Sequence, residues 1–233
     1  MTLTIRPWPS PNYDTRPAGA AIDMLILHYT GMPSAAAALD RLRDPAAAVS
    51  AHYVVEEDGG VWQLVADEQR AWHAGVSAWR GIGDVNSRSI GIELVNPGHE
   101  FGYRPFPAPQ IAALIELARL ILARHPIPPG HVLGHADVAP ARKQDPGELF
   151  PWQQLAEAGI GLWPGKAPVD DLGWPRIARD LAAVGYDAGS GPGDPALRLA
   201  LIAFQRHWRP GRCDGVPDRE SAARLAGLRT LIG

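Results

Sequence analysis

Along the first 160 residues apolar positions follow two rhythms, and beyond them only one. AIDMLILHYTG, residues 21–31, is a short apolar run closed by glycine, as a buried strand would be. An alanine-rich stretch over about 34–43 predicts a helix stopped by Pro45. AHYVVEEDGGVWQLV reads as a hairpin, because Asp58-Gly59-Gly60 supplies residues that tolerate the positive φ of a tight turn. SIGIELVN, 89–96, is a second buried-type strand, and HVLGH, 131–135, a third. Between them lies the strongest helical pattern, PAPQIAALIELARLILARHP. Ile111, Leu114, Ile115, Ala118, Ile121 and Leu122 line one face, and Pro126 ends it. A further short helix is expected at about 151–158.

Two regions show neither rhythm. Residues 1–20 carry Pro7, Pro9, Pro11 and Pro17 and read as an irregular arm. Residues 66–88 read as a long polar, glycine-containing loop without regular structure, and such loops are usually functional. After the Pro/Gly-rich linker GLWPGKAPVDD the strand signals cease. Residues 174–185, 195–208 and 218–227 predict a small three-helix domain. The expectation is an α/β domain over 1–165, with a mixed central sheet flanked by helices, followed by a helical domain over 166–233.

Composition narrows the function only by exclusion. With 46% hydrophobic and 20% charged residues in 233, the chain is an ordinary globular protein. A net charge of -3 argues against nucleic acid as a partner. Cys213 is the single cysteine, so an internal disulfide and a cysteine zinc cluster are both excluded. No stretch is long enough to span a membrane, and the first residues, MTLTIRPWPSPNYDTRP, do not read as a secretory signal. Five of the eight tryptophans, Trp62, Trp72, Trp79, Trp152 and Trp163, stand beside glycine, proline or charge. They suit either loop packing or the flat face of a sugar ring.

Candidate chemistry sits at strand ends. His28 and His135 each close an apolar strand, and Asp145 lies ten positions after His135 beyond a proline-containing loop. Two imidazoles and one carboxylate are a sound zinc set with a position left for water. Glu93 interrupts the apolar run Ile90-Gly91-Ile92-Glu93-Leu94-Val95, where a carboxylate is costly unless paired or near a metal, and is the candidate general base. Lys143, two residues before Asp145, is placed to steady an oxyanion.

HYTG at 28–31, AHYVVEEDG at 51–59, SIGIELVN at 89–96 and GHADVAPARKQDPG at 134–147 resemble, in this order, the zinc N-acetylmuramoyl-L-alanine amidases, a family that includes phage amidases and animal peptidoglycan recognition proteins. The likeness covers about 22–152. It implies one zinc ion on His28, His135 and Asp145. The aspartate is as in bacterial wall-recycling and lipoprotein-type members, where phage and recognition-protein relatives often have cysteine. It implies hydrolysis of the amide between muramic or anhydromuramic acid and L-alanine, with Glu93 and Lys143 catalytic. Where those relatives carry a tyrosine, this chain has Ala51, which leaves the acid–base work to Glu93. His73, Asn86, Trp79 and Arg80 resemble or neighbour groove residues and are expected to touch substrate. His52 is expected to pack or support a ligand. Asp137 is expected to bond its own turn or orient a ligand, and His99, His125, His131 and His207 to be surface or structural.

GYDAG, ALRLALIAFQRHW and DGVPDRESAARL, within 174–227, resemble the three-helix peptidoglycan-binding module, with an altered stretch between Trp208 and Cys213. The expected partners are recycled anhydro-muropeptides or polymeric peptidoglycan, met by a monomer. The cytoplasm is the expected compartment, with the periplasm or cell wall as the alternative. A muropeptide-binding protein of the same fold without catalysis is the rival function. A zinc endopeptidase is disfavoured because no H-E-x-x-H is present.

Overall fold

The computed structural model describes residues 3–233. Along the chain run β1 (Ile5–Pro7), β2 (Tyr13–Thr15), β3 (Met24–Tyr29), α1 (Ala35–Arg43), β4 (Tyr53–Val55), β5 (Val61–Gln63) and β6 (Gln69–Ala71). They are followed by β7 (Ala78–Trp79), β8 (Ile82–Gly83), β9 (Ser89–Leu94), α2 (Gly98–Phe101), α3 (Ala108–Arg124), β10 (Val132–Gly134) and α4 (His135–Val138). The chain ends in α5 (Trp152–Glu157), α6 (Trp174–Val184), α7 (Pro195–Trp208) and α8 (Arg219–Ile232).

Two compact units emerge, one running to Gly75 and taking in Asp84–Leu133, the other made of Val76–Gly83 and Gly134–Gly233. In the first, a six-stranded sheet has the order β1-β5-β4-β9-β3-β10. It is mixed: β9 lies parallel to both β3 and β4, whereas β4 and β5 form the antiparallel hairpin expected from its turn. Gly59 there has φ +91°, and the Asp58 carboxylate accepts the Gly60 N–H. The central strands are apolar because both of their faces are covered. Met24, Leu25, Ile26, Leu27, Ile90 and Ile92 are fully buried. On α1, Ser34 caps the first turn by accepting from the Ala37 N–H. On α3 the buried stripe is Gln110, Ile111, Ala113, Leu114, Leu117, Ala118 and Ile121. Ile115 and Leu122, predicted on this stripe, stand at its half-buried margin.

The second unit holds the β7–β8 hairpin and α4 to α8, with α6, α7 and α8 packed pairwise on one another. Asp194 and Asp218 cap α7 and α8. Among the described residues no helix is long and apolar enough to cross a membrane.

Four sequence expectations are corrected. The arm over 1–20, whose first two positions lie outside the described residues, contains β1 and β2. Pro7 is tolerated because β1 is an edge strand. The loop over 66–88 contains β6, β7, β8 and a 3-10 turn at Val85–Arg88, pieces too short to leave a periodic signal. His135 does not close a strand but opens α4, since Gly134 ends β10. The last helix continues to Ile232, past the expected 227.

Candidate metal centre

His28 lies on β3, fixed by the ladder to β9 in which it stands opposite Glu93. In parallel strands such partners share a face, so the imidazole and the carboxylate leave the sheet on the same side. Ser89, Gly91 and Glu93 alternate along that face of β9, while Ile90, Ile92 and Leu94 fill the other. Glu93 is half-buried.

His135 and Asp145 are joined by a loop folded back on itself. The Ala136 N–H donates to the Asp145 carbonyl over 2.9 Å, and Lys143 N–H donates to Ala139 O over 3.0 Å. Gly134 permits the close approach, since a Cβ there would sit 2.7 Å from Pro146 and 3.3 Å from Trp152. His28, like His135 and Asp145, is buried. His135 Nδ1 and Asp145 Oδ2 are 3.1 Å apart. Buried lone pairs gathered this closely favour a shared cation. The His135–Asp145 spacing is near the edge, about 3.4 Å, of a tetrahedron with zinc bonds of about 2.1 Å. The donor set therefore fits zinc. Lys143 is exposed beside Asp145.

Asp137, two residues after His135, gathers three donors. Its Oδ2 accepts the Gly134 N–H at 2.7 Å and His207 Nδ1–H at 2.7 Å, and its Oδ1 accepts the Tyr186 hydroxyl at 2.5 Å. Burial holds the His207 pKa below its ordinary value against the opposing pull of Asp137. It lies flat between Trp152 and Trp208, each 3.6 Å away by ring centroid. Burial beside Asp137 pushes the Tyr186 phenol well above its usual range.

Of the four residues expected to touch substrate, only Arg80 is exposed. Trp79 is 1% exposed, with its ring edge-on to Tyr186 at 5.1 Å. His73 is buried with its Nδ1 3.0 Å from His28 Nε2. The Asn86 side-chain carbonyl accepts the N–H groups of His73 and Ala74 at 3.1 and 2.8 Å. His52 is buried behind them, and its Nδ1 accepts the Gly91 N–H. Burial, reinforced by Arg16, lowers its pKa to about 3. His99, His125 and His131 bond Tyr29, Asp67 and the Asp23 carbonyl respectively.

Sequence reasoning missed Arg16, which sits in the proline-rich arm with no periodic signal around it. Its buried guanidinium donates to the carbonyls of Asp67, Asn86 and Ser89. Burial brings its pKa down to about 10.

Residues 18–148 match the Amidase_2 family, N-acetylmuramoyl-L-alanine amidase. The chain belongs to this amidase family. It is 41% identical to the N-acetylmuramoyl-L-alanine amidase AmiD of Escherichia coli, over 91% of this chain and 84% of that protein. The structure of AmiD with the substrate anhydro-N-acetylmuramic acid-L-Ala-D-gamma-Glu-L-Lys superposes with a TM-score of 0.80 at 39% identity, over 94% of this amidase and 93% of AmiD. AmpDh3 of Pseudomonas aeruginosa, in complex with an anhydromuramic pentapeptide, gives 0.79 at 35% identity over 94% and 95%. The 1,6-anhydro-N-acetylmuramyl-L-alanine amidase AmpD of Haemophilus influenzae is 35% identical, over 62% of this amidase and 86% of its own length.

Proposed function

We propose that this amidase uses one zinc ion on His28, His135 and Asp145 to hydrolyse the lactyl amide between anhydro-N-acetylmuramic acid and L-alanine. The observation that carries the reading is the buried His135–Asp145 pair inside a chain whose residues 18–148 match the amidase family. The substrate class is supported by the anhydromuramyl peptides held by AmiD and AmpDh3.

A zinc ion in this set supplies a Lewis acid for the carbonyl and makes water a nucleophile near neutral pH. Glu93, on the same sheet face as His28, takes the proton of the attacking water and returns it to the departing alanine nitrogen. Lys143 supplies an ammonium to the carbonyl oxygen as negative charge develops there. Arg80 offers a guanidinium to a stem-peptide carboxylate. No covalent enzyme intermediate is needed.

The helical segment 166–233 is proposed to add affinity for polymeric peptidoglycan, and the enzyme to act as a monomer. Compartment follows substrate. Recycled anhydro-muropeptides would place it in the cytoplasm and polymer in the periplasm, and cell fractionation decides between them.

The test is mass spectrometry of an anhydromuramyl tripeptide incubated with the full chain. The expected products are the free sugar acid and an intact stem peptide with a new alanine amine. Binding without cleavage would support the rival, a non-catalytic muropeptide receptor. In Glu93→Gln, turnover should fall roughly a hundredfold or more with binding retained, the scale of a lost general base.

A further inference from the structure

Three hydrogen bonds follow one another away from His28. His28 Nε2 meets His73 Nδ1 at 3.0 Å, His73 Nε2 meets Ser89 Oγ at 3.1 Å, and the Ser89 hydroxyl donates to the Val85 carbonyl at 2.6 Å. The far end fixes the direction of the whole series. A carbonyl only accepts, so the Ser89 proton lies on the bond to Val85. The Ser89 oxygen then receives the hydrogen of His73 Nε2. A neutral imidazole protonated at Nε2 carries a lone pair on Nδ1, and that lone pair takes the Nε2–H of His28. His28 is left with its own lone pair on Nδ1, in the orientation that its second nitrogen dictates.

We propose that His73 is the positioning residue of the metal centre, selecting the tautomer and orientation of His28 through its own bond to Ser89. This rests on the reading of His28 as a zinc ligand. Ligand histidines commonly pass their second N–H to a carboxylate or carbonyl, which also adds negative charge. Here the acceptor is a neutral imidazole. It fixes the ring while leaving the charge of the centre to Asp145.

The surroundings are built for that ring. It lies over β9 at Gly91, where a Cβ would come within 2.5 Å of His73 Cγ and 2.6 Å of its Nδ1. Ser89, two residues earlier on the same face, provides the acceptor. Asn86 clamps the backbone of the His73 segment, and Arg16 holds the carbonyls of both Asn86 and Ser89. One role therefore accounts for a histidine, a serine and a glycine that are scattered in the sequence.

The experiment compares His73→Asn with His73→Leu in the full chain. The two side chains are alike in size, but only asparagine places an acceptor oxygen where Nδ1 stood. Zinc dissociation constants are read by competition with a chromogenic chelator, and unfolding of the zinc-free proteins is followed separately. His73→Leu should weaken zinc about 10–100-fold, the range for a lost supporting partner. His73→Asn should stay within a few-fold of wild type. Ser89→Ala should move affinity in the same direction as His73→Leu. Long-range 1H–15N correlation in the zinc-loaded wild type should show hydrogen on Nε2 of both His28 and His73. Equal zinc loss in the Asn and Leu variants, or hydrogen on Nδ1 of either ring, would overturn the relay with the zinc reading intact. A wild type that binds no zinc would overturn the reading itself.

Discussion

The two histidines of the proposed metal centre are held by different kinds of structure. His28 sits on an inner strand of a sheet, whose neighbour supplies six register pairs, and its second nitrogen meets an imidazole that itself meets a serine hydroxyl. His135 opens a helix of only four residues, too short to fix itself. Its turn is steadied by the Asp137 carboxylate, which in turn depends on Tyr186 and His207, 49 and 70 residues further on. A ligand on a ladder needs only its ring oriented, whereas a ligand on a loop needs its backbone held as well. The C-terminal helices thus do structural work beside a proposed metal ligand.

The largest expected effects ignore this contrast. His28→Ala, His135→Ala and Asp145→Ala should each abolish turnover and sharply reduce bound zinc, because three protein ligands leave none to spare. Full zinc content in any one of them would remove that residue from the centre.

Truncation separates the two sides. A chain ending at Gly165 keeps the proposed ligands, Glu93 and Lys143, but strips Asp137 of Tyr186 and His207. Each hydrogen bond to the carboxylate contributes about 1.5–3 kcal/mol. Turnover of a small soluble muropeptide should therefore fall, together with zinc affinity. A further loss on insoluble sacculi, beyond that on the soluble substrate, would measure wall binding by the helices. Wild-type zinc affinity and soluble turnover after truncation would show that the loop holds itself.

A smaller effect belongs to the His28 side. His52 titrates at about 3 in the folded protein, below the ordinary 6.5 of an unfolded chain. As pH falls the unfolded state takes up the proton first, so stability is present above about 6.5 and lost between there and 3. From pH 6.5 to 5.5 this group should cost about 1 kcal/mol. Denaturant unfolding of wild type against His52→Gln isolates it, since the variant should lose that much less over the same interval.

The same contrast explains what the sequence made legible. HYTG and SIGIELVN are short, contiguous and strand-borne, so His28 and Glu93 could be placed from local pattern. The alternation of Ser89, Gly91 and Glu93 was visible too, but it read as an apolar strand with one intruding carboxylate. Nothing local says that Gly91 is small because His73 lies on it. GHADVAPARKQDPG disclosed His135 and Asp145 through its resemblance to the amidases, not through periodicity. Tyr186 and His207 were illegible because contacts across 49 and 70 residues leave no mark in a helical pattern. His73 and Asn86 were singled out for a groove, and the structure buries both, His73 against His28 and Asn86 on the backbone of His73 and Ala74. Arg16 was hidden by its prolines, since its three carbonyl contacts depend on where the arm runs.

One zinc on His28, His135 and Asp145 is what is proposed to give this chain its amidase activity. The most direct measurement is titration of zinc into the chelator-stripped full-length protein while following release of alanine-terminated stem peptide from an anhydromuramyl tripeptide. Release should be negligible at the start, rise linearly and saturate at about one equivalent per chain. Full activity in the stripped protein, or saturation unchanged by His28→Ala, would contradict that proposal.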